Sequence, residues 1–426
     1  MIGIRREDKS KWEARVPLTP EEVRRLGEAG VRFQVERSPI RVFADQAYAE
    51  AGAELVDALD SCPIIMGVKE IPPEKLLPDK AYVYFSHTIK AQPANMPALR
   101  RLVELGCTLI DYERITDTQG RRLVFFGRYA GLAGMIDTLW TLGRRLEHEG
   151  IASPFSSVRA AHRYDDLAHF EREFAAVADA IRAGGIPEPL RPLVCGFAGY
   201  GQVSQGAQHI YDLLPVQEVS PDELAGLEPA ADRCYKVVFR EEHLVRRRDD
   251  AQPFELQEYY RHPERYEADF FRHVPALTLL VNCIYWEPKY PRLITRAQFR
   301  ELYADTPRLR VIGDITCDID GSLACTTRAT EPGNPVYVYD PDTGETRDGV
   351  AGHGPVVLAV DFLPCELAAD ASRHFSQALG PFVPALDRAK LDGSLDQSGL
   401  PPELRRATIV WRGSLTEPYR YLEPEL

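Results

Sequence analysis

Two titratable residues, Lys69 and His87, stand directly after apolar runs at 63–68 and 81–85 that read as buried strands. In an open parallel sheet, ligands bind outside the carboxyl ends of the strands, so side chains at successive strand ends can face one cleft. Burial can lower the pKa of a lysine in such a place into the range useful for proton transfer. Each residue also has a plainer reading, Lys69 as a surface charge and His87 as a hydrogen-bonded loop residue, and position alone leaves the choice even. Arg15 lies in the loop before Pro17-Leu18-Thr19-Pro20, close to Glu13. A planar guanidinium is the usual partner of a substrate carboxylate, although most arginines are simply exposed.

A third constellation is Gly199-Tyr200-Gly201, which follows a strand-like run at 192–197 and opens a helix expected over about 203–214. The first glycine makes a tight turn, and the second lets the backbone approach a pyrophosphate. Ser204, with Gly206-Ala207 behind it, keeps the helix close to the strand. The usual residue at that third place is Gly or Ala, so Ser204 departs mildly. The helix start at Gln202 and Val203 offers unpaired N–H groups to the phosphates. The next run, 216–219, ends at Ser220. No acid stands at its tip to hold a ribose 2′-hydroxyl, and a serine can donate to a phosphate, which favours NADPH. NADH is the alternative if the strand ends earlier, at Glu218, and no arginine stands close by for a 2′-phosphate.

The elements that must position these residues are α/β in character. Thr19-Pro20-Glu21-Glu22 starts a helix, with Thr19 as cap, Pro20 at the first position and acids in the first turn, and the helix stops at Gly30. Continuous apolar strands alternate with helices, which predicts parallel sheets covered on both faces. A helix rich in Gly and Ala begins near Gly127 and suits close packing in a connector between domains. Another helix runs over 167–182. Further strands are expected at 236–239, 277–281, 309–312 and 356–360, with a helix after the last. The charged, Tyr-containing region 221–276 reads as an insertion in the second domain. A chain of 426 residues suits two domains.

The formal net charge of −13 argues against general nucleic-acid binding. The triplet Arg246-Arg247-Arg248 runs straight into Asp249-Asp250 and reads as a solvated mixed-charge segment. Eight scattered cysteines, none in a Cys-x-x-Cys pair, imply reduced thiols in a cytoplasmic protein and neither a disulfide frame nor a metal site. The N-terminus has no signal-like apolar run, and the most apolar stretch, 274–286, is too short to span a bilayer. No membrane partner is expected.

Three segments together carry a family resemblance. Arg5-Arg6-Glu7-Asp8 with Trp12-Glu13-Ala14-Arg15-Val16-Pro17-Leu18-Thr19-Pro20, then Phe85-Ser86-His87-Thr88-Ile89-Lys90, then Asn282-Cys283-Ile284-Tyr285-Trp286-Glu287-Pro288 resemble the lysine–ketoglutarate reductase half of the aminoadipic semialdehyde synthases. The wider group includes saccharopine dehydrogenases, alanine dehydrogenase and the transhydrogenase NAD domain. The resemblance implies two Rossmann-like domains with a cleft between them and a C-terminal segment returning to the first. The substrate domain is expected at 1–130 plus 335–426 and the dinucleotide domain at 131–334. It implies a substrate site of Arg15, with Glu13 beside it, Lys69 in Gly67-Val68-Lys69-Glu70, and His87. It implies NADPH-dependent condensation of L-lysine with 2-oxoglutarate to saccharopine, with His87 as acid and base, Lys69 as its partner and Arg15 on a carboxylate. The bifunctional relatives carry a second half, so a separate glutamate-forming saccharopine dehydrogenase is an expected partner enzyme. Rival readings are an NAD-dependent lysine-forming saccharopine dehydrogenase, alanine dehydrogenase, an opine-type reductase using another amine, and, from another class, a non-catalytic dinucleotide sensor. The Arg15, Lys69 and His87 set weighs against the sensor, since pure binding needs no acid–base pair.

Overall fold

The computed structural model describes residues 1–249 and 252–426. Asp250, in the mixed-charge segment, lies outside them. The chain divides into two compact units, Met1–Phe126 with Ala368–Leu426, and Gly127–Leu367.

The first unit begins with six strands: β1 (Ile2–Ile4), β2 (Phe33–Glu36), β3 (Glu54–Val56), β4 (Ile64–Met66), β5 (Ala81–Tyr84) and β6 (Thr108–Asp111). They run parallel in the order β6-β5-β4-β1-β2-β3. β1, β4, β5 and β6 are buried throughout, as continuous apolar runs predict for a sheet covered on both sides. The helix Pro20–Glu28 has its predicted start: the Thr19 hydroxyl accepts from the Glu22 amide, and Pro20 and the acids follow. Ala29 caps its end and Gly30 turns away at positive φ.

The second unit holds β7 (Val194–Ala198), β8 (Val216–Glu218), β9 (Cys234–Phe239), β10 (Val245–Arg247), β11 (Tyr266–Ala268), β12 (Leu279–Asn282), β13 (Val311–Asp314), β14 (Val336–Tyr339), β15 (Thr346–Asp348) and β16 (Val356–Leu358). Eight of them form one sheet, ordered β15-β14-β16-β13-β12-β7-β9-β8. Alternate residues of β7, β12 and β16 feed two separate apolar clusters, so this sheet too is covered on both faces. Two expectations change here. Residues 335–367 were assigned to the first domain, yet β14 and β16 extend the second sheet: Val311 of β13 pairs with Val356 of β16, and β14 joins β16 antiparallel. The four-residue run Val336–Tyr339 is buried throughout and lies between β16 and the edge strand β15. The return to the first unit therefore starts at Ala368. Residues 127–130 also move, because the helix Gly127–His148 belongs to the second unit. A Cβ on Gly131 would overlap the Val203 carbonyl oxygen, and one on Gly206 the Arg128 carbonyl oxygen. The small residues thus let this helix press against the helix Gln202–Tyr211.

The expected insertion contains the antiparallel ribbon β10–β11 and the helix Leu256–Arg261, anchored by the buried Tyr259 and Tyr266. Its arginine triplet pairs with local acids: Arg246 and Arg248 with Glu267, and Arg247 with Glu258. After the helix Ala368–Leu379, β17 (Thr408–Trp411) pairs antiparallel with β6 and β18 (Ser414–Leu415) antiparallel with β17, which completes the first sheet. Among the described residues no helix is long and apolar enough to cross a membrane, and no cluster of His, Cys, Asp and Glu could hold a metal.

Candidate functional site

β1, β4 and β5 are hydrogen-bonded neighbours, so the chain leaving each strand brings its next residues together at one sheet edge. Glu7 follows β1, Lys69 and Glu70 follow β4, and His87 follows β5. The Glu7 carboxylate accepts from the Val68 amide at 2.7 Å and the Lys69 amide at 3.0 Å, which fixes the backbone that carries Lys69. Burial pushes the Glu7 carboxyl up to about 7, against the pull of Arg5.

His87 makes its ring hydrogen bond to Glu70, with Nδ1 2.7 Å from Oε1. The other Glu70 oxygen accepts from Lys9 Nζ at 2.7 Å. Burial acts to raise Glu70, but the His87 hydrogen bond and the charges of His87 and Lys69 outweigh it and hold the group well below the usual carboxylate range. The His87 backbone lies at φ 50°, left-handed space that a residue with a Cβ rarely adopts. Such conformations cost about 1–3 kcal/mol and gather at functional sites. Asn95 Nδ2 donates to the His87 carbonyl at 3.0 Å, and the Phe85 ring stacks against the imidazole. The His87 side chain keeps 36% exposure while Glu70 keeps 16%, so the imidazole is the reachable member of the pair.

Lys69 does not hydrogen-bond His87 among the described interactions; what the two share is Glu70. Burial lowers the Lys69 pKa, and Arg15 lowers it further against the opposing charges of Glu70 and Glu13. Arg15 is 4% exposed. Its Nε and Nη2 donate to the two Glu13 oxygens at 2.7 and 2.6 Å. Its guanidinium lies 4.3 Å from the centroid of Phe126, which itself stacks on Phe375. Glu13, expected beside the substrate, spends both oxygens as the clamp of Arg15. Burial would raise its pKa, yet the Arg15 pair leaves it below the ordinary value. The returning helix pins this loop, because the Ser372 and Ser376 hydroxyls accept from the Val16 and Thr19 amides, both at 3.0 Å. A planar, clamped guanidinium beside a weakened ammonium and an accessible imidazole can bind a carboxylate, polarise a carbonyl and move a proton.

Sequence reasoning brought Arg15, Lys69 and His87 to this edge and missed Glu7, Glu70 and Phe126. The signal for Glu70 was present in its adjacency to Lys69, but which neighbour turns toward the imidazole is a property of the loop.

In the second unit the glycine turn has the geometry a dinucleotide requires. Gly199 sits at φ 95° and Gly201 is the N-cap of the helix Gln202–Tyr211, with no side chain capping it. A Cβ on Gly201 would meet nothing within 4 Å, so the space in front of the helix start is open. The N–H groups of Gln202 and Val203 begin that helix, and Ser204 is buried within it. Ser220 is differently occupied than expected. Its hydroxyl and amide both point to Glu223 Oε2, at 2.8 and 2.7 Å, as the cap of a short turn. Glu218 pairs with Lys236 at 3.0 Å. The strand beside β7 is β9, not β8, because β9 is a long, almost wholly buried strand while short β8 exposes Gln217 and Glu218 as an edge does. The residue at the tip of that neighbouring strand is Arg240.

These features define a class: two α/β units with parallel-rich sheets, one bearing a dinucleotide turn, in the fold of alanine dehydrogenase. The chain superposes on L-alanine dehydrogenase with a TM-score of 0.64 at 19% identity, covering 100% of this chain and 99% of that one. Residues 3–133 match the family model for the alanine dehydrogenase/PNT N-terminal domain. Over its length the chain is similar to the alpha-aminoadipic semialdehyde synthase of Arabidopsis thaliana, with 38% identity over 99% of this chain and 41% of that protein. It is also similar to the saccharopine dehydrogenase [NAD(+), L-lysine-forming] of Emericella nidulans, with 27% identity over 89% of this chain and 90% of that protein. The chain spans less than half the length of the synthases it matches.

Proposed function

We propose that this chain reductively condenses L-lysine with 2-oxoglutarate to saccharopine, using NADPH. The observation that carries the reading is the Glu70–His87 pair set beside a weakened Lys69 and a clamped Arg15. Similarity to a semialdehyde synthase and to a lysine-forming saccharopine dehydrogenase supports the choice of substrates.

Ionised Glu70 accepts a hydrogen bond from the Nδ1–H of His87, which leaves Nε2 as the base. That nitrogen accepts a proton from the lysine ε-ammonium, since only the neutral amine attacks a ketone. Arg15 holds a carboxylate of 2-oxoglutarate. Lys69 polarises the ketone, and His87 returns the proton it took to the hydroxyl that leaves as water when the carbinolamine collapses to the imine. Gly199, Gly201 and the start of the helix at Gln202 and Val203 would hold the dinucleotide, which when bound supplies the hydride for reduction. The eight free, buried thiols fit a reducing compartment, and the cytoplasm is the location we propose.

The test is loss of the reduced-nicotinamide absorbance with lysine and 2-oxoglutarate together and with each alone. Turnover that requires both supports the reading. Better turnover with ammonia or another amine overturns the lysine part, and no turnover with any amine overturns the enzyme reading in favour of a sensor. A second reading, saccharopine oxidation to lysine with NAD⁺, is favoured by the fungal similarity. The same groups serve it in reverse, so the two directions separate when that rate is compared with the gain of absorbance from saccharopine and NAD⁺.

A further inference from the structure

Two cavities meet at the glycine turn, and both are lined by Tyr200 and Arg240. The first holds about 430 Å³ and is walled by aromatic and aliphatic side chains, among them Tyr259, Tyr260, Tyr290 and Ile284. The second holds about 580 Å³ and is more polar, with Gln205, Gln208, Glu218 and Ser220 in its lining.

In a dinucleotide-binding sheet the adenosine ribose lies by the tip of the strand next to the glycine strand, and the residue there distinguishes a 2′-hydroxyl from a 2′-phosphate. Here that strand is β9: the Gly199 amide donates to the Phe239 carbonyl at 2.9 Å, and Arg240 is the next residue. The Arg240 guanidinium lies 4.8 Å from the centroid of the Tyr200 ring, within the turn itself. No ion pair engages it among the described residues. The acids around it are otherwise committed. Glu218 pairs with Lys236 at 3.0 Å, Glu223 accepts from Ser220, and Glu241 accepts from the Tyr260 hydroxyl at 2.6 Å. An exposed, unpaired guanidinium at this tip is a bidentate partner for a phosphate dianion.

We propose that Arg240 is the residue that reads the adenosine 2′-phosphate, held in the polar cavity, while the adenine occupies the tyrosine-lined cavity on the other side of Arg240. This inference rests on the proposed use of NADPH. It also gives the inserted segment a role, because Tyr259 and Tyr260 come from its helix and supply an apolar wall against which a purine can pack.

The experiment measures dissociation constants of the full chain for NADPH and NADH by fluorescence of the bound reduced nicotinamide, with 2′,5′-ADP and 5′-ADP as competitors. R240A should weaken NADPH and 2′,5′-ADP by roughly 10- to 100-fold, the size of one charge-assisted contact. It should change NADH and 5′-ADP by less than about threefold. R240K, which keeps the charge and loses the fork, should fall between. Equal losses for all four ligands would mean that Arg240 is only a cavity wall, and unchanged NADPH affinity would mean that another group meets the phosphate; either result overturns the proposal. The cofactor reading is judged separately by the wild type. If the wild type binds NADH more tightly than NADPH, that reading fails, while the R240A ratio still decides what Arg240 does.

Discussion

Replacing Glu70 by Gln separates the two halves of the proposed base. Glu70 Oε1 is 2.7 Å from His87 Nδ1 and Oε2 is 2.7 Å from Lys9 Nζ, so by distance the two contacts are equal. Their surroundings are not. Lys9 is 50% exposed, and an ion pair in that setting contributes about 0–1 kcal/mol. The His87 contact is a charge-assisted hydrogen bond donated to a largely buried carboxylate by a ring that must carry a proton during turnover, worth about 1.5–3 kcal/mol. Glu70→Gln should therefore lower kcat by roughly 10- to 100-fold, whereas Lys9→Met should lower it by less than about fivefold. Since Glu70 acts through His87 as a positioning residue, the Glu70→Gln, His87→Gln double variant should be little worse than His87→Gln alone. The assay is the initial rate of nicotinamide oxidation at saturating lysine and 2-oxoglutarate, with NADPH affinity measured in parallel. Wild-type kcat in Glu70→Gln would refute the reasoning. So would an equal loss in Lys9→Met, which would mean that the total charge of the edge matters and the His87 bond does not.

The clamp on Arg15 gives a second test: Arg15→Lys keeps the charge but cannot be held by both Glu13 oxygens through two nitrogens, so kcat/KM for 2-oxoglutarate should fall by roughly 10- to 100-fold with NADPH affinity unchanged, in steady-state kinetics against the keto acid. Gly201→Val places a side chain in the open space before the helix Gln202–Tyr211 and should abolish NADPH binding by fluorescence titration while circular dichroism stays native. Glu7 supplies a pH dependence: its carboxyl rises from 4.5 to about 7 on folding, so the folded state holds the extra proton, and this stabilisation is complete below about pH 4.5 and lost as pH rises through 7. The amount is about 3 kcal/mol, so urea midpoints should fall between pH 5 and 7.5 in the wild type and fall distinctly less in Glu7→Gln.

The parts of this molecule that were legible in the sequence are those set by local chemistry. The Thr19-Pro20 helix start, the buried strands before Lys69 and His87, and the glycine turn at Gly199 and Gly201 follow from capping, apolar runs and φ preference, all of which act within a few residues. The parts that were not legible depend on which elements become neighbours. Two strands follow the glycine helix, and the one nearer in sequence, Val216–Glu218, was expected to end at the adenosine ribose. The sheet instead inserts Cys234–Phe239 between that strand and β7, because its buried residues gain more from a central place than the exposed Gln217 and Glu218 could. That exchange moved the ribose-reading position from Ser220 to Arg240. The boundary at 334 failed for a similar reason, since pairing of Val336–Tyr339 and Val356–Leu358 with the second sheet is a long-range choice. Glu13 and Glu70 were visible as acids next to the right residues, but their partners were decided by loop conformation.

The first unit carries more buried charge than its stability requires. A buried ion pair such as Glu13–Arg15 seldom repays its own desolvation, and apolar residues of similar volume would often do as well or better. Glu7 is pushed toward neutrality, Lys69 is weakened, and His87 is held in a strained backbone conformation. Each feature is unfavourable alone, and all of them fall at the carboxyl edge of one sheet, within reach of β1, β4 and β5. The rest of the unit is arranged to tolerate them: Phe126 and Phe375 stack beneath the Arg15 guanidinium, Ser372 and Ser376 fix the loop that carries it, and Asn95 holds the His87 carbonyl. Three of these five supports, Ser372, Phe375 and Ser376, come from the returning helix Ala368–Leu379. Local rules broken together at one place, with dedicated support from a distant stretch of chain, are the pattern that the proposed site would produce at some cost in stability. A pure dinucleotide sensor would carry the glycine turn of the second unit and have no use for this edge.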